Sequence, residues 1–252
     1  MKLIKFLTTV ALTFAFCVSA AASQKIDWFF KSGEANSQPV ILGGSQMPKE
    51  YGALYMGENG DKTVYLTFDA GYGNENLEKI LDILKKHNIK GAFFILPGII
   101  KNSPKTVLRM ANEGHLVCNH STTHGDMSKI TNIAEFEKEL LGVEAQYKAL
   151  TGKDMEKFFR PPQGAFSENT LKFCKELGYT PVFWSFAYAD WDYQSQMPPK
   201  KATELVLSRA HDGMVMLLHP TSKTNAEILE PVILSLQEKG YSFGTLYDLK
   251  NA

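Results

Sequence analysis

The sequence predicts a single α/β domain in which a parallel sheet is covered by helices. Three observations carry this. Between residues 63 and 244, short β-branched and aromatic runs alternate with amphipathic stretches of helical period. Three of those stretches close on glycine, at Gly114, Gly178 and Gly240, where a left-handed residue ends a helix cheaply. The polar residues with catalytic chemistry follow the strands at their carboxyl ends, the face on which parallel α/β folds build sites.

The elements follow in order. Residues 63–68 read as a strand, and 76–87 as a helix through Leu77, Ile80, Leu81 and Leu84. Residues 91–95 form the second strand, followed by a helix over 103–113 with Pro104 in its first turn. A third strand covers 116–119 and a long amphipathic helix 133–150. Further strands fall at 157–159, 180–184, 214–218 and 241–244, separated by helices at 168–177, 200–210 and 225–239. Pro231 either kinks the last helix or marks its true start. Seven strands and six helices fit a barrel or an open doubly wound sheet, with no repeat or composition break to divide them.

The first residues read differently. Lys2 and Lys5 precede an apolar run over 6–18 and the small residues 19–23, the pattern of an export signal cleaved near residues 20–22. An uncleaved anchor is the alternative. Cys17 follows Phe16, where a lipidation signal wants a small residue. The run is too short to span a bilayer comfortably, and no later segment approaches the roughly 20 apolar residues needed. Residues 23–61 hold Pro39, Pro48 and Gly43-Gly44 without sustained period, which predicts a segment wrapping the domain, anchored by Trp28-Phe29-Phe30.

With 44% hydrophobic and 21% charged residues, disorder, collagen-like repeats and a disulfide-dense mini-fold are excluded. The 27 basic and 27 acidic groups balance; loss of residues 1–22 takes two lysines and no acid. Neither state gives an electrostatic reason for a nucleic acid or anionic membrane partner. Cys118 and Cys174 sit among apolar residues and read as small core residues.

Five polar residues stand at strand ends: Asp69, His120, Arg160, Asp190 and His219. His120 and His124 form an H-x-x-x-H pair, a spacing that sets two imidazoles on one face of a helical turn and suits a divalent metal. The plainer alternative is a capped turn with both rings bonded to backbone. Asp69 precedes Gly71 and Gly73 and is either a base or a turn cap. Arg160-Pro161-Pro162 stiffens the chain beside a guanidinium suited to a carboxylate. His219 ends an apolar strand, where burial and a carboxylate would tune it towards neutrality, if it is not simply a core histidine. His87, His115 and His211 read as structural.

Thr67-Phe68-Asp69-Ala70-Gly71, His120-Ser121-Thr122-Thr123-His124, Arg160-Pro161-Pro162-Gln163-Gly164, Asp190-Trp191 and Leu217-Leu218-His219 occur in this order. The ordered set resembles the five motifs of the NodB-type polysaccharide deacetylases, over roughly residues 60–249. Within that family the chain is most similar to the spore-cortex de-N-acetylases of N-acetylmuramic acid that initiate muramic δ-lactam formation. Residues 51–57, the Gly71-Tyr72-Gly73-Asn74 turn and Val182-Phe183-Trp184-Ser185 extend the similarity.

The resemblance implies a distorted (β/α)7 barrel over 62–250 and metal-dependent hydrolysis of N-acetyl groups on sugars. It implies Asp69 as general base, Arg160 as its partner, His219 as acid and Asp190 as the group orienting it. His120 and His124 would hold a divalent ion, zinc with manganese or magnesium as alternatives. Gln163 would offer a backbone N–H to the oxyanion, and Trp191 and Tyr72 would wall the substrate pocket. The partner implied is a peptidoglycan glycan strand, met by a secreted monomer in the cell wall or cortex. Two positions depart from the family. The usual third metal ligand is replaced by Ala70, so metal binding is expected to be loose. Gln163 stands where relatives often carry a basic or aromatic residue, which leaves other N-acetylated glycans as an alternative, while the Ala70 change leaves a silent sugar-binding role as another.

Overall fold

Alternation along the chain is realised as a parallel sheet wrapped by helices. The computed structural model describes residues 23–34, 36–44 and 46–252, so the expected export signal lies outside the described residues. The chain opens with β1 (Ile26–Asp27), β2 (Phe30–Lys31), β3 (Val40–Ile41) and the short α1 (Met47–Glu50). The main alternation then begins with β4 (Thr63–Ala70), α2 (Glu75–Lys86), β5 (Ala92–Ile95), α3 (Pro97–Asn102), α4 (Pro104–Asn112) and β6 (Leu116–Asn119). It continues with α5 (Ile133–Thr151), β7 (Glu156–Phe159), β8 (Ala165–Phe166), α6 (Glu168–Glu176), β9 (Thr180–Pro181) and α7 (Pro199–Ser208). β10 (Met214–Leu218), α8 (Lys223–Glu238), β11 (Ser242–Gly244) and α9 (Leu246–Asn251) complete it.

Seven strands form one sheet in the order β10-β4-β5-β6-β7-β9, with β11 also on β4, and every pairing is parallel. The length of β4 makes the branch. Its first residues, Thr63 to Tyr65, pair with β11; Thr67 to Ala70 pair with β5; β10 runs along the opposite edge from Val64 to Phe68. β9 and β10 share no ladder. The irregular chain after β9 closes the wall instead: the Ser185 and Phe186 amides both donate to the Val215 carbonyl, and Leu217 N–H donates to the Phe186 carbonyl at 2.9 Å. The expected (β/α)7 barrel is therefore present, and its distortion lies at this seam.

Strand alternation sorts the side chains into two layers. Val64, Leu66, Phe68 and Ala70 of β4 join the outer core with Leu77, Ile80 and Leu84 of α2 and Ile233 of α8. Tyr65, Phe94, Cys118, Phe158 and Val215 form the inner core. Following the inner parity to the strand ends reaches Asp69, His120, Arg160 and His219. The period-2 pattern thus delivers the site residues to one end of the barrel interior.

Several boundaries differ from the sequence reading. The expected strand over 180–184 stops at Pro181, because the wrapping segment intrudes: Leu54 N–H donates to the Pro181 carbonyl and Phe183 N–H to the Leu54 carbonyl. Asp190 consequently sits in a loop well beyond the strand end. α3 and α9 were not expected, being too short to show a period. α8 starts at Lys223, capped by the Ser222 side chain, and runs through Pro231 unbroken, its long buried face offsetting the one lost backbone bond. Cys118 and Cys174 are buried, unbridged and in separate clusters.

The wrapping segment is a strap. β1 pairs antiparallel with β8, Trp28 N–H donates to the Gly164 carbonyl, and the Trp28 indole N–H donates to the Trp184 carbonyl at 2.9 Å. The indole stacks on Phe183 with centroids 4.4 Å apart. It therefore holds the loops after β7 and β9 together. Trp28→Ala is expected to lower the unfolding free energy by about 3 kcal/mol, measured by guanidinium unfolding; a loss near zero would show that the segment lies on the domain without holding it.

Candidate active site

Arg160 follows β7 and is wholly buried. A buried guanidinium must fill its donors. Nη1 donates to Asp69 Oδ1 at 2.7 Å, Nη2 to Thr67 Oγ1 at 2.8 Å and to the Phe183 carbonyl, and Nε to the Val182 carbonyl. Its Cζ lies over the Phe94 ring, 4.2 Å from the centroid. Burial alone would raise the Asp69 carboxyl, but the Arg160 charge, aided by His120 and His219, holds it below its ordinary value. Asp69 is ionised at neutral pH.

His120 and His124 flank a loop that is not the helical turn their spacing suggested. Ser121 and His124 both have left-handed φ, 71° and 58°, a conformation bulky residues adopt only when held there. The holders are visible. Ser121 N–H donates to Asn119 Oδ1, His124 N–H to Ser121 Oγ, and the Glu139 carboxylate accepts the Thr122 and Thr123 amides. The loop still brings the two rings to 5.1 Å between centroids.

His120 carries a further constraint. The Arg160 carbonyl can only accept, so His120 Nδ1 must donate to it, at 2.9 Å. Burial drives this imidazole down to about 4, against the pull of Asp69, so the ring is neutral at pH 7. Nε2 then presents a bare lone pair 3.5 Å from Asp69 Oδ2. Two electron-rich atoms face each other with no proton between them, an arrangement that fits a cation.

His219 follows β10. Its Nδ1 donates to Asp190 Oδ1 and its backbone N–H to Asp190 Oδ2, both at 2.7 Å. Burial pulls the His219 imidazole down, but the Asp190 hydrogen bond and charge, with Asp69 behind them, outweigh it and hold the ring above its ordinary value.

Asp69, His120, His124 and His219 line a cavity of about 750 Å³ with Gly71, Tyr72, Leu96, Gln163, Trp184, Tyr188, Trp191 and Thr221 among its walls. Trp191 and Tyr72 are more than half exposed at its mouth, so they are wall residues and not core aromatics. Gln163 also lines it, with φ of 59°. All nine residues singled out from the sequence thus gather at one end of the barrel, seven on the cavity wall, with Arg160 buried behind Asp69 and Asp190 behind His219. Ala70 does not join them: it lies in the outer core, and among the described residues no three histidine, cysteine, aspartate or glutamate side chains form a metal-holding group. The two imidazoles are the donors that remain. Sequence reasoning missed Thr67, Tyr188, Gln196 and Asn225. The inner parity of β4 pointed to Thr67; the others are ordinary loop and helix residues whose contacts only the fold creates.

The family model for polysaccharide deacetylase matches residues 56–182. The chain is 40% identical, over 91% of its length and 88% of the relative's, to the peptidoglycan-N-acetylmuramic acid deacetylase PdaA of Bacillus subtilis. The chain belongs to the polysaccharide deacetylase family. The structure of PdaA, a family 4 carbohydrate esterase, superposes with a TM-score of 0.84 at 39% identity, covering 90% of this chain and 97% of that one. A peptidoglycan-N-acetylglucosamine deacetylase of Bacillus cereus is 35% identical over 79% of this chain and 72% of its own length. A family 4 pseudoenzyme of Bacillus anthracis superposes with a TM-score of 0.71 at 30% identity, over 78% of this chain and 68% of that one. Polysaccharide deacetylases are hydrolases of the amide bond in N-acetylated sugars and are metal-dependent in general.

Two measurements check the electrostatics. Arg160→Met leaves the Asp69 carboxylate buried and unpaired, and is expected to cost about 3–5 kcal/mol in urea unfolding; a cost near zero would contradict the pairing. The raised His219 contributes stability that is fully present below its ordinary, unfolded value of 6.5 and is lost as pH rises through its folded value. The melting-temperature gap between wild type and His219→Gln is therefore expected to be widest near pH 5–6 and to close at alkaline pH, in thermal melts across that range.

Proposed function

We propose that the protein is an exported peptidoglycan deacetylase that hydrolyses the N-acetyl group of N-acetylmuramic acid, in the cell wall or spore cortex, for muramic δ-lactam formation. The observation that carries this is the joint presence of an ionised Asp69 and a raised His219 on one cavity, in a chain 40% identical to PdaA along nearly its whole length. The domain organisation proposed is a signal at 1–22, a wrapping segment at 23–61 and the catalytic domain at 62–250. The working form is a secreted monomer on a glycan strand. Among the described residues no helix is long and apolar enough to cross a membrane.

His120 and His124 would hold a divalent ion, zinc or else manganese or magnesium. When bound, such an ion supplies Lewis acidity to the acetamide carbonyl and acidifies a water. The chain's own residues do the rest. Asp69 takes the proton of the attacking water, and Arg160 keeps that carboxylate ionised and aimed. The Gln163 backbone N–H would donate to the oxyanion that develops on the acetyl carbonyl oxygen. His219 donates its proton to the leaving amine as the C–N bond breaks, with Asp190 fixing the tautomer. Tyr72 and Trp191 wall the sugar.

One observation favours a second reading. Among the described residues the cavity lining carries no lysine or arginine side chain, and Gln163 stands beside Gly164, so no basic lysine or arginine meets a lactyl carboxylate there. A neutral N-acetylglucosamine, in peptidoglycan or chitin oligomers, fits that lining, as in the activity named for the Bacillus cereus relative. Ala70 similarly supports a silent sugar-binding role.

Acetate release decides among them. The purified protein, with added Zn²⁺ or Mn²⁺ or with EDTA, is assayed on peptidoglycan strands with and without stem peptides and on chitotetraose. Release from stripped muramic strands, not chitotetraose, is the expected result; the reverse preference would replace muramic acid by glucosamine, and no release with any metal would leave only binding. Asp69→Asn is expected to lower kcat by about 10²–10⁴-fold. EDTA is expected to abolish turnover reversibly, since two imidazoles hold the ion without a third side chain. Amino-terminal sequencing of protein from the culture medium tests the cleavage near residues 20–22.

A further inference from the structure

We propose that Asn225, in the first turn of α8, is the positioning residue that locks the Asp190–His219 pair, a role that rests on the reading of His219 as proton donor. Asp190 has two oxygens to satisfy. Oδ1 accepts from His219 Nδ1, while Oδ2 accepts from the His219 backbone N–H at 2.7 Å and from Asn225 Nδ2 at 2.5 Å. The second hydrogen of the same Asn225 amide goes to the His219 carbonyl at 3.0 Å. One side chain therefore grips both the carboxylate and the main chain of the histidine it supports.

The amide cannot turn over. Its Oδ1 accepts from the Tyr188 hydroxyl, and both acceptors on the other side require the NH₂ group. Asn225 is completely buried, so no water competes for these positions. Its own backbone is fixed as well: Asn225 N–H donates to Ser222 Oγ, and Ser222 Oγ–H donates to Gln196 Oε1. Gln196 Nε2 then donates to the Asp190 and Asp192 carbonyls, tying the loop that carries Asp190 and Trp191 to the same helix start. Tyr188 lines the cavity, so the lock reaches the substrate wall.

No other side chain does this work in place. Aspartate has the same shape but no donor, and would press a second carboxylate against Asp190. Alanine removes the donors and strips Tyr188 of its acceptor. In either case Asp190 keeps only its two bonds to His219 and loses its tie to α8, so the pair can shift together and the His219 ring loses its fixed angle while substrate contacts at Tyr72 and Trp191 persist. A misplacement of that kind costs about 10²-fold in turnover.

The test uses the full chain, with acetate release from whichever substrate it cleaves best and two-dimensional NMR of the histidine ring nitrogens. Asn225→Asp and Asn225→Ala are expected to lower kcat by about 10²-fold with KM within about two-fold. Tyr188→Phe, which frees the amide without removing it, is expected to have a smaller effect on kcat in the same direction. In the wild type the His219 Nδ1–H is expected as a slowly exchanging downfield signal, absent or broadened in Asn225→Asp. The NMR arm needs no turnover, so a wild type that releases no acetate would sink the proposed function while leaving this placement measurable. Wild-type kcat in both Asn225 variants, or an unchanged His219 signal, would overturn the inference, as would a loss in which KM and kcat worsen together with melting. Should Asn225→Ala fail to fold, the isosteric Asn225→Asp and Tyr188→Phe carry the decision.

Discussion

The interaction on which the rest of the structure depends is the burial of one guanidinium. Arg160 has no exposure, and a charge in that position is tolerable only if every donor is filled. Filling them recruits β4 through Asp69 and Thr67, and the chain after β9 through the Val182 and Phe183 carbonyls. The Arg160 backbone recruits β6, its N–H donating to the Asn119 carbonyl and its carbonyl accepting from His120. Register among these segments is thus set by one residue's hydrogen-bond requirements. The same contacts ionise Asp69 and choose the His120 tautomer, so folding and the electrostatics of the cavity are one arrangement.

The loops that carry the site are strained, and the strain has named supports. Ser121, His124 and Gln163 adopt left-handed φ, each at a cost of about 1–3 kcal/mol. Glu139 on α5 holds the first loop by its Thr122 and Thr123 amides. The second is pinned where Trp28 N–H meets the Gly164 carbonyl, and a Cβ at Gly164 would stand 2.8 Å from the Trp184 ring. A wrapping segment with no regular period is therefore part of what fixes a loop on the cavity.

Much of this was legible in the sequence, and what was not has physical reasons. The parallel strands showed because most are short runs rich in β-branched and aromatic residues, and the site residues showed because strand alternation carries Asp69, His120, Arg160 and His219 to the same inner face. The geometry of the H-x-x-x-H segment did not show. Spacing implied a helical turn, whereas two left-handed residues, stabilised by a glutamate fifteen residues downstream of His124, produce the same proximity. The end of β9 at Pro181 was hidden because the segment it yields to, at Leu54, is distant in sequence. Asn225 looked like any residue in a helix start. Only the approach of the Asp190 loop, which brings Asp190 and Tyr188 beside the His219 carbonyl, gives its amide three partners.

The two histidines that face Asp69 are driven in opposite directions by the same cavity. His120 has its Nδ1 committed to a carbonyl, a neutral acceptor that offers the charged ring little, and burial prevails, taking it down to about 4. His219 has its Nδ1 on a carboxylate, and that partner outweighs burial and holds the ring above its ordinary value. At neutral pH one ring presents a lone pair suited to a cation, and the other holds its proton more firmly than a free imidazole would. Separation of that kind divides roles between like residues in an acid–base site. It does not require the third ligand that Ala70 lacks, because position 70 belongs to the outer core and contributes to neither environment. The division follows from which atom each Nδ1 meets, and that in turn follows from where β7 and the Asp190 loop leave their oxygens.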